Sequence, residues 1–179
     1  MKYTIYMIFL TITVSLLASC QEESRVIEEV KDMYGRKVTF VRPYSSIPNT
    51  KTLALDSIMS KDIKAVSYLE NFSCTDCALN KLASRIEIIN SIDKDLGYLI
   101  IIRTNDVDEL TKHIENKGIA HPIICYQTDA FKVENKLDVL ARNRTFLLDK
   151  NDRIVLVGEP FNNEALLNLY KKAFTQMQE

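Results

Sequence analysis

At 179 residues, 46% of them hydrophobic and 26% charged, the chain is long enough for one domain with a sizeable core and short for two. Its formal net charge is −1 and neither sign is gathered into a long block, which excludes the basic face that a nucleic-acid partner requires. No internal repeat or low-complexity tract interrupts the chain.

Residues 1–19 read as an export segment outside the fold. Lys2 gives a short positive start, Thr4 to Leu17 are apolar, and Leu17-Ala18-Ser19-Cys20 closes the stretch with small residues and a cysteine. The apolar part is too short for a comfortable membrane span. This closing pattern resembles the lipobox of bacterial lipoprotein signals. The resemblance implies cleavage before Cys20, lipid on the Cys20 sulfur and acylation of the new amino terminus, so that the chain is tethered to a membrane of the bacterial cell envelope. Gln21-Glu22-Glu23 is similar to the acidic export signals of Bacteroidetes lipoproteins, and reads equally well as a solvated tether; the outer membrane is the expected location.

Residues 20–61 are expected to hold the lipidated cysteine, a tether and an N-terminal strand region, and residues 62–179 a single domain. Glu22 to Met33 suits a short charged helix or tether, and Lys37 to Val41 alternates as a strand does. Arg42 to Thr50, with Pro43 and Pro48, reads as loop. From Asp62 the pattern strengthens. Ile63 to Leu69 suits a strand, and Cys74 to about Ile92 a helix with Leu79, Leu82, Ile86 and Ile89 on one face. Gly97 to Arg103 contains an unbroken apolar run, as in a strand buried on both sides. Asp106 opens a helix lined by Val107, Leu110 and Ile114 and ended by Lys117-Gly118. Pro122 to Tyr126 is another buried strand, and Phe131 to Leu140 a short helix and turn. Thr145 to Leu148 and Arg153 to Val157 form a hairpin across Asp149-Lys150-Asn151-Asp152. Asn162-Asn163-Glu164 caps a last helix with Leu166, Leu169, Tyr170, Ala173 and Phe174 on its apolar side. Strands and helices that alternate in this way predict an α/β fold with parallel strands, made mixed by the closing hairpin.

The chemistry-bearing motif is Cys74-Thr75-Asp76-Cys77, placed between a strand and a helix. Two thiols at this spacing can close a disulfide within one loop, and a helix N-terminus favours the thiolate of the leading cysteine. A CxxC pair beside a βαβ pattern is the expected form of a thioredoxin-like redox site. The order of elements resembles the thioredoxin fold, and specifically the TlpA-like branch of envelope-anchored thiol–disulfide proteins. The strand to Leu69 with the Cys74–Cys77 helix, the Ile123-Ile124-Cys125-Tyr126 strand, the Thr145-Phe146-Leu147-Leu148-Asp149 segment and the final helix carry the likeness, over roughly residues 62–179.

The resemblance implies a mixed sheet flanked by helices, with Cys74 as nucleophile, Cys77 as resolving thiol and a Cys74–Cys77 disulfide in the oxidised state. Its implied partners are exported protein thiols or disulfides and an upstream thiol electron donor, and no cofactor is implied. Three positions depart from the family pattern. Ser73 stands where an aromatic residue precedes the first cysteine, and Asp76 where proline precedes the second. Asn143 stands where a cis-proline leads into the Thr-Phe strand; a non-proline cis bond costs about 3 kcal/mol, so a trans bond is expected there. The buried carboxylate of the family falls at Tyr68, with Glu70 the nearest acid.

Asp76 between the two sulfurs disfavours the Cys74 thiolate, which predicts a reductant or isomerase rather than an oxidant. The alternative is a non-enzymatic binding module of the same fold, in which Cys74 and Cys77 form a structural disulfide. A zinc site is not expected, because only Cys125, His113 and His121 could add ligands. Cys125, inside an apolar strand, reads as a small core residue.

Overall fold

The computed structural model describes residues 23–47, 52–70 and 76–179. The proposed signal segment and Cys20, together with Ser73 and Cys74, lie outside the described residues. Among the described residues, no helix is long and apolar enough to cross a membrane.

Six strands form one mixed sheet in the order β1-β4-β3-β2-β5-β6. The centre is parallel: β2 (Lys64–Leu69) pairs with β3 (Gly97–Arg103), and β3 pairs with β4 (Ile123–Tyr126). Helix α3 (Asp76–Asn90) links β2 to β3, and α4 (Val107–Asn116) links β3 to β4. β5 (Thr145–Leu148) runs antiparallel beside β2, with Val66 opposite Phe146, and β6 (Ile154–Val157) continues the antiparallel side. β1 (Ser45–Ile47) closes the other edge against β4. The remaining helices are α1 (residues 23–33), α2 (Thr52–Met59), α5 (Ala130–Glu134) and α6 (Glu164–Gln178).

The central strands are apolar on both faces because both faces are covered. Tyr98, Ile100 and Ile102 of β3 pack with Leu79, Leu82 and Ile89 of α3, Leu110 and Ile114 of α4, and Tyr170 and Phe174 of α6. Leu99 and Ile101 turn to the opposite side, where Met33 of α1, Leu55 of α2 and Phe131 of α5 complete a second core. Each such side chain taken from water contributes about 1.5–3 kcal/mol. Polar atoms inside the first core are paired: Tyr98 Oη donates to Ser67 Oγ at 3.0 Å, and Ser67 Oγ lies 3.0 Å from Thr145 Oγ1, tying β3, β2 and β5 together.

Several expectations change. Lys37 to Val41 is not a strand: Lys37 makes one isolated bridge to Arg153, while Val38 is drawn into the second core. The stretch expected as loop contains β1, and α2 follows it. The short helix and turn expected over Phe131 to Leu140 are present, with the helix at Ala130–Glu134. Lys136 then takes a positive φ of 49°, and a 3-10 turn follows at Ala141–Asn143. Leu169 of α6 is 50% exposed, because the buried stripe runs through Leu166, Tyr170, Ala173 and Phe174. The hairpin turn holds as read: Asp149 Oδ1 accepts from the amides of Asn151 and Arg153, and Asp152 has φ 60°.

Candidate functional site

The site begins where β2 ends. Burial on both faces fixes β2 between β3 and β5, and its carboxyl end leads in sequence to the segment 71–75 that carries Cys74. Asp76 is the first residue of α3, and Cys77 sits in the first turn of that helix, exposed to solvent. Leu79 and Leu82, both 1% exposed, anchor the following turn to the sheet and so fix the position of Cys77.

Around the end of β2 stands a charged cluster. Glu70 accepts hydrogen bonds from Lys132 Nζ at 3.0 Å and from Arg144 Nη1 at 2.6 Å. These two cations hold the Glu70 carboxyl below its usual range: the Lys132 hydrogen bond is the largest influence, and partial burial opposes it. The Tyr68 amide donates to the Arg144 carbonyl at 2.9 Å, so Arg144 grips the strand end by both its backbone and its side chain. Glu70 is therefore fixed between two cations rather than turned freely to water.

Tyr68 is 3% exposed, and its ring lies 5.7 Å from that of Phe131. Burial, with Glu70 and Asp129 nearby, pushes its hydroxyl up to about 12, so it stays protonated at neutral pH. Among the described residues its buried oxygen has no hydrogen-bond partner. Tyr68 therefore cannot take over the proton-accepting role of a buried carboxylate at neutral pH.

Asn143 is 3% exposed and belongs to the turn that enters β5. Among the described residues the cis peptide bond is Arg42–Pro43, so the bond before Asn143 is trans, as expected from the sequence. A partner that sequence reasoning missed holds it: Asn143 Nδ2 donates to Glu29 Oε2 at 2.8 Å, and the Leu140 amide donates to the same oxygen at 2.9 Å. Arg25 donates to Glu29 Oε1 at 2.9 Å. Burial raises the Glu29 carboxyl, but the bonds from Leu140, Asn143 and Arg25 outweigh it and set a net downward shift. No spacing signal could have revealed this pairing, because the two residues are 114 positions apart.

Beside this turn lies a groove of about 350 Å³, walled by Val26 and Val30 of α1, Arg142 and Asn143 of the turn, and Gly158 and Leu166. The remaining candidates stand away from it. Cys125 is 1% exposed and burial pushes its thiol up to about 12, which suits a core residue. His121 Nε2 lies 2.9 Å from the Tyr98 carbonyl, and His113 faces Glu109 at 3.8 Å on α4. Among the described residues no three His, Cys, Asp or Glu side chains are grouped so as to hold a metal ion.

No protein-family model matches the sequence, and no curated protein matches it. Solved structures do share its architecture. A candidate protein disulfide isomerase from Bacteroides thetaiotaomicron is 14% identical and superposes with a TM-score of 0.52, over 82% of this chain and 91% of that one. A candidate thiol:disulfide interchange protein DsbE from Chlorobium tepidum is 12% identical, with a TM-score of 0.52 over 80% and 97%. The peroxidoxin BcpB from Mycobacterium tuberculosis is 13% identical, with a TM-score of 0.53 over 82% and 99%. At such identities the likeness concerns the fold, and with the mixed six-stranded sheet it establishes that this chain has a thioredoxin-like α/β fold.

Proposed function

We propose that the chain is a thiol–disulfide oxidoreductase, anchored to the cell envelope by lipid on Cys20 and acting on the disulfides of exported proteins through Cys74 and Cys77. The observation that carries this reading is the placement of Cys77: exposed, in the first turn of α3, directly after the central strand of a thioredoxin-like sheet. Solved structures of the same fold that are described as thiol–disulfide proteins support it.

In the forward cycle the Cys74 thiolate attacks one sulfur of a substrate disulfide. A mixed disulfide forms and the other substrate sulfur leaves as a thiolate, which takes a proton. Cys77 then attacks the Cys74 sulfur, releasing the second substrate thiol and closing a Cys74–Cys77 disulfide. The substrate gains two electrons and the protein loses two; an upstream dithiol donor restores the reduced pair. Asp76 favours the reducing direction by opposing the Cys74 thiolate.

The full chain in detergent should reduce insulin in the presence of a thiol donor, and Cys77→Ala should trap a mixed disulfide on Cys74. Absence of both would instead favour a non-enzymatic binding module of the same fold, with the cysteine pair as a structural disulfide. That second reading draws support from the buried Asn143, which shapes the turn leading into β5 without a cis bond.

A further inference from the structure

Four large apolar side chains stand exposed among the described residues, and three of them lie over one face of the sheet. Ile27 and Tyr34, 54% and 66% exposed, belong to α1 and the residue that follows it; Val133, 71% exposed, belongs to α5. The Tyr34 amide donates to the Val30 carbonyl at 3.0 Å, so the helical path still holds there. Seven residues apart, Ile27 and Tyr34 share one stripe of the helix, with the exposed Lys31 between them. α1 and α5 both cover the second core, through Met33 and Phe131. Val133 comes two residues after the buried Phe131 and so points away from that core. Arg36, just after α1, donates to the Asn135 carbonyl at 3.0 Å and ties the ends of the two helices together. The fourth side chain, Leu169, stands on α6 over the opposite face.

A single exposed apolar residue is ordinary, whereas several on one face call for something that covers them. Chain length selects a lipid surface. Only Gln21 and Glu22 separate Cys20 from the first residue of α1. At no more than about 3.6 Å per residue, the helix begins within about 11 Å of the Cys20 Cα, whatever path those residues take. Lipid on Cys20 therefore holds α1 at the headgroups, with Ile27 one turn into the helix. The contact is then intramolecular, and a few side chains suffice to maintain it. Their chemistry suits an interface: a tyrosine buries its ring while its hydroxyl stays in water, and Lys31 reaches lipid phosphate from an apolar stem.

We propose that the α1–α5 face, through Ile27, Tyr34 and Val133, lies against the lipid bilayer that holds Cys20. This rests on the anchoring part of the proposed function. The domain is then held in one orientation and does not swing on its tether. α3 lies over the first core, on the far side of the sheet, so docking leaves the exposed Cys77 turned to water. The disulfides it reaches belong to soluble stretches of exported proteins, not to segments buried in the membrane.

The chain has no tryptophan, so each Trp variant carries a single reporter. Ile27→Trp, Tyr34→Trp, Val133→Trp and Leu169→Trp are prepared as the full lipidated chain in vesicles of phosphatidylethanolamine and phosphatidylglycerol. With lipids brominated near the top of their acyl chains, the first three should be quenched at least about twofold more than Leu169→Trp, because an interfacial side chain sits at the headgroup–acyl boundary. Aqueous iodide should give the reverse order. Adding Ile27→Ser and Tyr34→Ser to Val133→Trp should return that reporter to the iodide quenching of Leu169→Trp, while the chain still floats with the vesicles. Reporters shielded from iodide yet untouched by brominated lipid would overturn the proposal, since another protein would then cover this face. If the wild-type chain does not float with vesicles, the anchoring reading fails and this one with it. If it floats and all four reporters are quenched alike by brominated lipid, only the docking fails.

Discussion

Arg144 Nη1 donates to Glu70 Oε2 at 2.6 Å and so joins the turn before β5 to the end of β2, 74 residues earlier in the chain. Both side chains are largely covered, 16% and 18% exposed, which limits the screening that weakens surface pairs. Glu70→Gln should therefore lower unfolding stability at pH 7 by about 1–2 kcal/mol, read from urea midpoints. The acid limb gives a sharper test. The folded Glu70 carboxyl is held below its ordinary value of 4.5, so its contribution is complete above that pH and is lost as pH falls through the lower folded value. Wild type should lose stability through this acid window more steeply than Glu70→Gln; parallel curves would remove Glu70 from the account of acid sensitivity.

The Glu70 cluster marks the boundary of what the sequence reveals. Strands β3 and β4 are legible because their apolar runs, Tyr98 to Ile102 and Ile123 to Tyr126, are unbroken, as a strand covered on both faces needs. β2 is legible from Ala65, Val66, Tyr68 and Leu69, although Ser67 interrupts it. β1 is not legible: Ser45 and Ser46 give no apolar pattern, and Ile47 is its one buried apolar residue. Lys37 to Val41 has the alternation of a strand without a partner along its length, since pairing is a property of the neighbour and not of the segment. At the site, the CxxC motif, Asn143 and the trans bond before it could be read from local spacing. Glu29, Lys132 and Arg144 could not, because each acts on a residue more than 60 positions away.

Gly158 follows β6 and combines two demands that only glycine meets. Its φ is 127°, and a Cβ built there would stand 2.7 Å from Leu166 Cδ2 of α6. Its amide donates to the Thr145 carbonyl at 2.7 Å, and its carbonyl accepts from the buried Tyr170 hydroxyl at 3.0 Å. The backbone is thus held from two sides and cannot rotate to relieve an added methyl. Gly158→Ala should cost about 1–3 kcal/mol in urea unfolding. A smaller companion loss in Gly158→Ala combined with Leu166→Ala would identify the Leu166 clash as one part of that cost, leaving the φ strain as the remainder.

His121 supplies a second pH dependence of known sign. Burial holds its imidazole below the ordinary value of 6.5, and the hydrogen bond to the Tyr98 carbonyl opposes that shift only in part. The neutral ring donates from Nε2 to that carbonyl and lies tilted against the Tyr98 ring, with the centroids 5.6 Å apart. Above pH 6.5 both folded and unfolded states leave it neutral, so it imposes no cost. As pH falls below 6.5, the unfolded chain takes a proton that the folded chain refuses, and stability declines until the folded value is passed. His121→Gln keeps a donor for the carbonyl and removes the titration, so its stability should change less than that of wild type between about pH 6.5 and 5. An NMR titration showing His121 protonated in the folded chain above pH 6.5 would contradict this.

Asp76 offers the most direct test of the direction of electron flow under the proposed function. It is the first residue of α3 and lies between the two cysteines in sequence. A carboxylate there opposes the helix N-terminus, which would otherwise favour an anionic sulfur at Cys74. Stabilising the thiolate stabilises the reduced pair, and that raises the reduction potential. Asp76→Asn should therefore make the pair more oxidising by about 10–30 mV in glutathione or dithiothreitol buffers, the shift expected for up to a tenfold change in the redox equilibrium. The same variant should lower the apparent pKa for alkylation of Cys74, measured by iodoacetamide reactivity against pH in the Cys77→Ala background. The two shifts arise from one interaction and must move together. A lowered thiol pKa without a raised potential would mean that Asp76 acts on the thiolate alone, and the preference for reduction would then need another source.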